Sequence, residues 1–277
     1  MTAVKYAVIG NPVSHSKSPQ IHTAFAQQEG IEIEYQRILA DDSNFIDSID
    51  EFRSTGGLGL NVTLPFKVTA FEHCRNLNEY AKAAYSVNTI RFDDQGQWIG
   101  SNTDGLGLLQ DLTANLHLQL SNKMILVLGA GGSTRGIVYP LLKQRPAKLV
   151  IVNRNLEKAK VLTEIFRSQG KVTACTYDDL GEDVFDLVIN ATSASIDNSV
   201  PPIPANIVGP DTTCYDLYYS DSATSFIGWS QDKGVKACAD GLGMLIEQAA
   251  ESYYIWRGYR PETKSVYSLL RPEGSFS

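Results

Sequence analysis

A glycine-rich turn near the middle of the chain constrains its fold more than any other segment. The apolar run Met124–Leu128 leads directly into the segment GAGGST at 129–134, which predicts a strand, a tight turn and a helix start. Such turns hold the pyrophosphate of a dinucleotide, because glycines let the backbone approach the ligand and the first helical N–H groups face its charge. Any tight strand-to-helix turn also favours glycine, and Thr134 replaces the third glycine of the usual fingerprint. The turn alone does not decide between a dinucleotide-binding site and a purely structural turn.

The end of the next predicted strand indicates which dinucleotide would bind. Sites for NAD place an acidic residue about 20 residues after the glycines, where it takes the ribose hydroxyls. After Lys148–Val152 this chain has Asn153 and Arg154 instead, with Lys158 one helical turn later. A guanidinium there can pair with a 2′-phosphate, which an acid would repel. A solvated helix start is the alternative, but cations are mildly unfavourable at a helix N-terminus. The spacing therefore favours NADP over NAD.

Alternating strand and helix patterns ahead of the glycine turn predict an α/β domain. A buried strand at 6–10 leads to a helix capped by Ser18, with Pro19 at its first position and its end near Gly30. Periodicity predicts further strands at 31–35, 58–62, 87–92 and 98–100 and a helix at 45–52. The last two strands read as a hairpin, so this half is predicted to contain one antiparallel pair.

The second half has the pattern of a parallel sheet covered by helices. A helix at 106–116 precedes the glycine turn, and further strands are predicted at 185–190, 212–217 and 235–239. This alternation is typical of a Rossmann-type domain.

Two predicted helices near the end of the chain have no strand of their own. One covers 243–254 and the other is opened by Pro261, and we expect both to pack on the first domain. The predicted organisation is an N-terminal α/β substrate-binding domain, 1–105 plus 241–277, and an NADP-binding domain with a parallel sheet, 106–240.

Composition excludes several classes of protein. A formal net charge of −7 over 277 residues argues against nucleic-acid binding and against an anionic membrane surface. The four cysteines are scattered, which predicts reduced thiols and neither a metal site nor a disulfide framework. There is no signal-peptide pattern and no apolar run of about 20 residues, so we expect a cytoplasmic enzyme. Its expected partner is a small-molecule substrate, and a homodimer stays open because no motif decides the oligomeric state.

Four polar segments lie at the predicted ends of strands or helices in the first domain. Hydroxyls of Ser14 and Ser16, together with the following helix start, can bind a carboxylate, although serines in a cap are more often structural. Segment 61–67 also follows a strand, where α/β proteins bind ligands, and it ends in a lysine that alone would be an ordinary surface residue. Segments 88–89 and 102–105 add amide, hydroxyl and carboxylate groups.

Together these segments resemble one family. The chain carries, in order, NPVSHSKSP (11–19), NVTLPFK (61–67), SVNT (86–89), NTDG (102–105), GAGGSTR (129–135), VNRN (152–155), NATS (190–193), YDLYY (215–219) and DGLGMLIEQAA (240–250). With these motifs the chain resembles the shikimate dehydrogenase family over essentially its whole length. Nine ordered motifs are far more specific than a glycine turn.

The resemblance implies reversible, NADPH-dependent reduction of 3-dehydroshikimate to shikimate, on the pathway to chorismate and the aromatic amino acids. It implies that Lys67 and Asp104 are the catalytic pair. The matching substrate-binding positions are Ser14, Ser16, Asn61, Thr63, Lys67, Asn88, Asp104, Tyr219 and Gln248. The matching NADP-binding positions are Gly129, Ala130, Gly131, Gly132, Ser133, Asn153, Arg154, Lys158, Thr192, Leu217, Gly241 and Met244. The residue types agree with the chemistry, because an ammonium can stabilise developing alkoxide charge and donate a proton.

Two departures from the family pattern and one histidine bear on the site. Tyr85 and Ser86 replace small residues, which is expected to alter the packing beneath Asn88, and Asn155 replaces a hydroxyl that contacts the adenosine phosphate in many members. His15 is interpreted as a residue that orders its loop rather than as the proton donor. The alternatives are a quinate/shikimate dehydrogenase paralogue and a non-catalytic regulator that binds a nucleotide and a small acid.

Overall fold

The structure, a computed structural model, describes residues 3–271 and divides into two compact units. Within the described residues, the first unit contains the chain up to Gly107 and Ile246–Leu269, and the second contains Leu108–Leu245 with Leu270 and Arg271. The limits and roles predicted above for the two domains stay predictions. No helix in this part of the chain is long and apolar enough to cross a membrane.

A mixed sheet forms the centre of the first unit. Its strands are β1 (Val4–Gly10), β2 (Ile33–Leu39), β3 (Gly57–Val62), β4 (Asn76–Leu77), β5 (Thr89–Phe92) and β6 (Trp98–Ser101). Their order is β2-β1-β3-β5-β6-β4, with β1 parallel to both neighbours. Strand β5 is antiparallel to β3 as well as to β6. The prediction of one antiparallel pair was therefore incomplete, because the hairpin also pairs with β3.

Two of the four helices that the structure describes before residue 100 were predicted, and both begin at or next to the predicted first residue, at Ser18 and Phe45; the helices at 67–73 and 79–84 were not predicted. The four helices are α1 (Ser18–Glu29), α2 (Phe45–Ser54), α3 (Lys67–His73) and α4 (Glu79–Ala84). The end of α1 is confirmed, since Gly30 has a φ of 78° and closes the helix in the left-handed region. Ser18 was predicted as its cap, but Lys17 occupies that position, and the Ser18 N–H donates to Ser16 Oγ at 3.2 Å.

The second unit contains a parallel sheet built around the strand that precedes the glycine turn. Its strands are β7 (Met124–Leu128), β8 (Lys148–Val152), β9 (Val172–Cys175), β10 (Leu187–Asn190), β11 (Thr213–Asp216) and β12 (Ala237–Asp240). Their order is β12-β11-β10-β7-β8-β9, and every pair is parallel. This is the doubly wound strand order of dinucleotide-binding domains. From β7 the chain first adds strands on one side, β8 and β9, and then on the other side, β10 to β12. Ligands bind where the strand order reverses in this way, here between β7 and β10.

Helices connect the strands of the second unit. They are α5 (Asp104–Gln110), which begins in the first unit, α6 (Gly132–Lys143), α7 (Leu156–Phe166) and α8 (Ser225–Asp232). The helix predicted at 106–116 starts earlier, at Asp104, and its last turn, Asp111–Asn115, is a π-helix.

The C-terminal helices are α9 (Leu242–Arg257) and α10 (Lys264–Leu270). The division between the units falls inside α9, at Ile246. Helix α10 begins three residues after the predicted proline start, where Glu262 carboxylate oxygens accept the N–H groups of Lys264 and Ser265 at 2.6 and 3.1 Å. Each unit has its own apolar core, one around Phe45, Leu60 and Ile90 and the other around Leu126, Val188 and Phe226.

Candidate active site

A lysine–aspartate pair is the centre of the polar cluster in the first unit. The Lys67 Nζ donates to Asp104 Oδ2 at 2.6 Å, and both side chains are mostly buried, with 26% and 18% of their area exposed. Lys67 is the first residue of α3 and Asp104 is the first residue of α5, so each side chain starts from a fixed helix end. The pair predicted to be catalytic is therefore formed in the structure.

The Asn88 amide connects the Asp104 carboxylate to the side chain of Gln248. The Asn88 Nδ2 donates to Asp104 Oδ1 at 2.8 Å and to Gln248 Oε1 at 3.2 Å. The Asn88 Oδ1 accepts the Thr103 backbone N–H at 2.9 Å. That backbone bond fixes which end of the amide faces the carboxylate, because only an oxygen can accept it. The structure thus brings together four of the predicted site residues: Lys67, Asn88, Asp104 and Gln248.

The backbone around the pair is held by neighbouring asparagines. The Asp104 N–H donates to Asn102 Oδ1 at 3.1 Å, and Asn102 Nδ2 donates to Ser86 Oγ at 2.9 Å. Ser86, noted above as a departure from the family pattern, therefore orders the loop that presents Asp104. Its neighbour Tyr85 closes α4 with a φ of 49° and is about half exposed.

The Asn61 side chain is held by hydrogen bonds to three other segments of the first unit. Its side chain is buried, and its Oδ1 accepts the Tyr35 hydroxyl at 2.7 Å. Its Nδ2 donates to Asn88 O at 3.2 Å and to Ser252 Oγ at 3.0 Å. The predicted role in substrate binding stays a prediction, and the geometry shows an internal support.

Ser14 and Ser16 lie in the loop between β1 and α1. The Arg37 guanidinium donates from Nε and Nη2 to Ser16 O at 3.2 and 2.7 Å, which ties this loop to β2. Ser16 Oγ donates to Ser18 Oγ at 3.0 Å. Within residues 3–271 no hydrogen bond involves the exposed Ser14 side chain. His15 between them is exposed, and no contact links it to Lys67 in the described residues.

Thr63 follows the end of β3. Its N–H donates to Ile9 O at 3.0 Å, and its Cγ2 would lie 2.3 Å from a Cβ added at Gly10. The absence of a side chain at Gly10 is therefore what allows this close approach of the loop to β1. The Thr63 side chain is partly exposed, as a substrate contact requires.

The glycine turn of the second unit has the form that a bound pyrophosphate needs. Gly129 has a φ of 100°, and a Cβ there would meet Thr192 Cγ2 at 3.1 Å. By contrast, a Cβ added at Gly131 or Gly132 would enter open space at the start of α6. Thr134, in place of the third glycine, donates its hydroxyl to Gly129 O at 2.9 Å and so braces the turn from inside. Backbone groups and open space therefore face a ligand here, which fits a dinucleotide.

Cationic side chains follow β8 as the sequence predicted. Arg154 and Lys158 are exposed, and neither side chain has a hydrogen bond or ion pair within the described residues. The Asn155 side chain caps α7 by accepting the Lys158 N–H at 3.3 Å, and the Asn153 Nδ2 donates to Asn155 O at 2.8 Å. Asn155 therefore holds the turn in shape, while Arg154 stays available for a 2′-phosphate.

The remaining predicted contacts of the second unit lie on the loops after β10, β11 and β12 and at the start of α9. Thr192 donates its hydroxyl to Asn190 Oδ1 at 2.7 Å, directly after β10. A Cβ on Gly241 would lie 2.1 Å from Leu217 O, so the loops after β11 and β12 are in close contact. The Met244 N–H donates to Tyr215 Oη at 3.3 Å. Tyr219 is partly buried, which raises the pKa of its hydroxyl above the usual value of 10.0.

Several residues that order the site were missed at the sequence level. They are Tyr35, Arg37 and Ser252. The sequence had already drawn attention to Ser86 and to the segments that contain Thr89 and Thr103, but without an ordering role for these three side chains. Thr89 and Thr103 stand inside the SVNT and NTDG motifs, which was a usable signal. Ser252 lies one helical turn after Gln248, so the helix spacing places both on one face of α9.

Comparisons with known proteins identify the family. A family model described as "Shikimate dehydrogenase substrate binding domain" matches residues 8–90, and one described as "Shikimate / quinate 5-dehydrogenase" matches 111–197. "Shikimate 5'-dehydrogenase C-terminal domain" matches 241–271. Shikimate dehydrogenase (NADP(+)) of Chromobacterium violaceum is 49% identical over 96% of this chain and 97% of its own length. The chain belongs to the shikimate dehydrogenase family.

Solved structures of shikimate dehydrogenases and related enzymes share this fold. An Ael1 enzyme from Pseudomonas putida superposes with a TM-score of 0.92 at 41% identity, covering 97% of this chain and 98% of its own. Shikimate 5-dehydrogenase from Thermus thermophilus, solved in complex with NADP(H) and shikimate, gives a TM-score of 0.85 at 30% identity, covering 96% and 97%.

Proposed function

We propose that this protein is an NADP-dependent shikimate dehydrogenase, which interconverts 3-dehydroshikimate and shikimate on the pathway to chorismate and the aromatic amino acids. The observation that carries the proposal is the Lys67–Asp104 pair at 2.6 Å, whose carboxylate also accepts the Asn88 amide, which in turn is bonded to Gln248. These donors and acceptors suit a substrate with several hydroxyl groups and a carboxylate. A ligand without those hydroxyls would leave buried polar groups of the site unpaired and would therefore bind less well.

Lys67 is the group that moves the proton. In the reductive direction its ammonium donates a proton from Nζ to the oxygen that becomes the C3 hydroxyl, and in the oxidative direction the neutral amine accepts it. Asp104 Oδ2 holds Nζ in place, and the Asn88 Nδ2 holds the other carboxylate oxygen. Ser14 and Ser16 bind the substrate carboxylate from a loop that Arg37 keeps fixed. Thr63 and Tyr219 are the remaining proposed substrate contacts.

NADP, when bound, supplies the nicotinamide that gives or takes the hydride. Backbone N–H groups at the turn from Gly129 to Ser133 hold its pyrophosphate, and Arg154 with Lys158 holds its 2′-phosphate. Thr192, Leu217, Gly241 and Met244 complete the proposed contacts. A net charge of −7 means that these local groups, not the overall field, attract the anionic ligand.

The test is a spectrophotometric assay of the purified protein with shikimate or quinate and with NADP or NAD. The proposal expects the highest kcat/KM for shikimate with NADP. A preference for quinate, or equal use of NAD, would favour the paralogue. If no combination changed the nicotinamide absorbance, the non-catalytic regulator would replace the enzyme as the better hypothesis.

Two further properties stay predictions. A cytoplasmic location is supported by four cysteines that are all free thiols. Homodimer formation has no structural support here, and sedimentation analysis of the full chain decides it.

A further inference from the structure

We propose that Ser252 is a positioning residue for the catalytic pair, an inference that rests on the function proposed above. Ser252 lies on α9 and is fully buried. Its hydroxyl is within hydrogen-bond distance of three side chains from other segments: Asn61 Nδ2 at 3.0 Å, Thr89 Oγ1 at 2.7 Å and Thr103 Oγ1 at 3.3 Å. A serine inside a helix can donate its hydroxyl to the backbone carbonyl four residues earlier and needs no partner from another segment.

The donors and acceptors around Ser252 have a defined direction. The Tyr35 hydroxyl donates to Asn61 Oδ1, which leaves the Asn61 Nδ2 pointing at Ser252 Oγ. Thr89 gives its single hydroxyl proton to Asn88 Oδ1 at 2.9 Å. The 2.7 Å contact between Ser252 and Thr89 therefore uses the Ser252 proton. That proton has Gln248 O, at 3.0 Å, as its other acceptor.

A continuous chain of hydrogen bonds then leads from Ser252 to the catalytic lysine. Ser252 donates to Thr89, Thr89 donates to Asn88 Oδ1, and Asn88 Nδ2 donates to Asp104 Oδ1 at 2.8 Å. Asp104 Oδ2 accepts the Lys67 ammonium. Removing the first hydroxyl takes one partner from each of two buried groups: Asn61 Nδ2 keeps Asn88 O at 3.2 Å and Thr89 Oγ1 at 3.3 Å, and Thr89 Oγ1 keeps Asn88 Oδ1. Both side chains can turn to recover the lost hydrogen bond.

The consequence for catalysis is geometric. Asn88 faces the carboxylate with its nitrogen only while its oxygen stays on Thr89 and Thr103. If Thr89 turns to replace a lost partner, Asn88 loses one of those two restraints, and the Asp104–Lys67 geometry loosens. Small displacements of reacting groups lower the rate strongly.

The first experiment compares S252A with the control S230A. Ser230 is also fully buried, and its hydroxyl donates to Phe226 O, four residues earlier on α8, at 2.8 Å. It belongs to the second unit and has no bond to Lys67 or Asp104 within the described residues. We expect kcat for shikimate oxidation to fall about tenfold in S252A and to stay unchanged in S230A. The KM for NADP should stay unchanged in both, while their urea midpoints fall by similar amounts.

The second experiment changes Thr89, so that a folding defect of S252A does not decide the matter. T89V keeps the shape and removes the hydroxyl, whereas T89S keeps the hydroxyl. We expect T89V to lower kcat about as much as S252A, and T89S to retain most of the wild-type kcat. The double variant S252A/T89V should be little slower than either single variant, because both interrupt the same chain.

The outcomes separate this inference from the proposed function. A wild-type protein without NADP-dependent oxidation of shikimate would refute the function, and the inference with it. An active wild type with full kcat in S252A and T89V would refute the inference alone. The inference would also be refuted if the fold losses of kcat in S252A and T89V multiplied in the double variant, because free-energy changes add only when two sites are independent.

Discussion

Replacing Lys67 by methionine tests the proposed proton donor most directly. K67M keeps an unbranched apolar side chain as far as Cε and removes the ammonium, whose Nζ lies 2.6 Å from Asp104 Oδ2. The Asp104 carboxylate keeps the Asn88 Nδ2 donor on its other oxygen, so it is not left without a partner. The variant therefore removes the proton and charge at one atom while the surrounding hydrogen bonds stay in place.

The expected effects on rate and on folding differ in size. General acid or base catalysis contributes a factor of about 10²–10⁴, which corresponds to about 2.7–5.4 kcal/mol in the activation free energy. An ion pair that is still partly in contact with water contributes only about 0–1 kcal/mol to the free energy of unfolding. K67M should therefore lower kcat by a factor of about 10² or more. Its free energy of unfolding should change little.

The assay measures kcat for shikimate oxidation, the dissociation constant of shikimate by calorimetry, and the urea midpoint. K123M is the matched control, because Lys123 Nζ pairs with Asp186 Oδ1 at 2.8 Å in the second unit. The control should keep kcat. If K67M lost only shikimate affinity, or no more kcat than K123M, Lys67 would not be the proton donor.

Three further predictions concern the cofactor site and the fold. R154D should weaken NADP binding about 10- to 100-fold and raise the relative use of NAD, and an unchanged ratio of kcat/KM for the two cofactors would refute the 2′-phosphate assignment. G131A should keep its melting temperature, since its Cβ enters open space, but should bind NADP at least about tenfold more weakly by calorimetry; unchanged affinity would exclude close backbone approach. E29Q should lower the free energy of unfolding at neutral pH by about 1 kcal/mol. The Arg257 bond and the Tyr253 hydroxyl lower the pKa of Glu29, so its contribution is present above the unfolded pKa of about 4.3 and is lost as pH falls through the lower folded pKa. A difference between wild type and E29Q that persisted in acid would contradict this pair as its source.

Much of the fold was readable from local signals. The α/β class followed from alternating apolar runs, and the end of α1 followed from Gly30. The lysine and the aspartate of the proposed catalytic pair stand at helix starts next to strand ends, which a motif reading can locate. Such features depend on residues that are neighbours in sequence, so periodicity and spacing carry them.

The supporting hydrogen bonds could not be read in the same way. Tyr35 and Asn61 are 26 positions apart, and Asn61 and Ser252 are 191 positions apart. Serine, threonine and tyrosine are ordinary residues for strands and helices, so nothing in the local pattern distinguishes a buried junction from an exposed one. The pairing of β5 with β3 was missed for the same reason, because strand neighbours are decided by topology and not by the hairpin itself.

Each unit contains an asparagine whose Oδ1 accepts a backbone N–H and whose Nδ2 donates to a carboxylate. In the second unit Asn190 Oδ1 accepts the Thr192 N–H at 3.1 Å, and its Nδ2 donates to Asp216 Oδ1 at 3.2 Å. Asn88 is held likewise by a backbone N–H and likewise faces a carboxylate, that of Asp104.

The second oxygen of each carboxylate decides its role. Asp216 Oδ2 accepts hydroxyls of Ser195 and Thr224 at 2.5 and 2.6 Å, and burial raises the pKa of this acid above its usual value. Among the described residues its hydrogen-bond partners are neutral, and through them Asp216 ties the ends of β10 and β11 together. Asp104 Oδ2 holds a lysine ammonium, which is a proton donor at a fixed position. An asparagine that orients a carboxylate thus occurs in both units, and the lysine on the far oxygen distinguishes the proposed catalytic pair from the structural one.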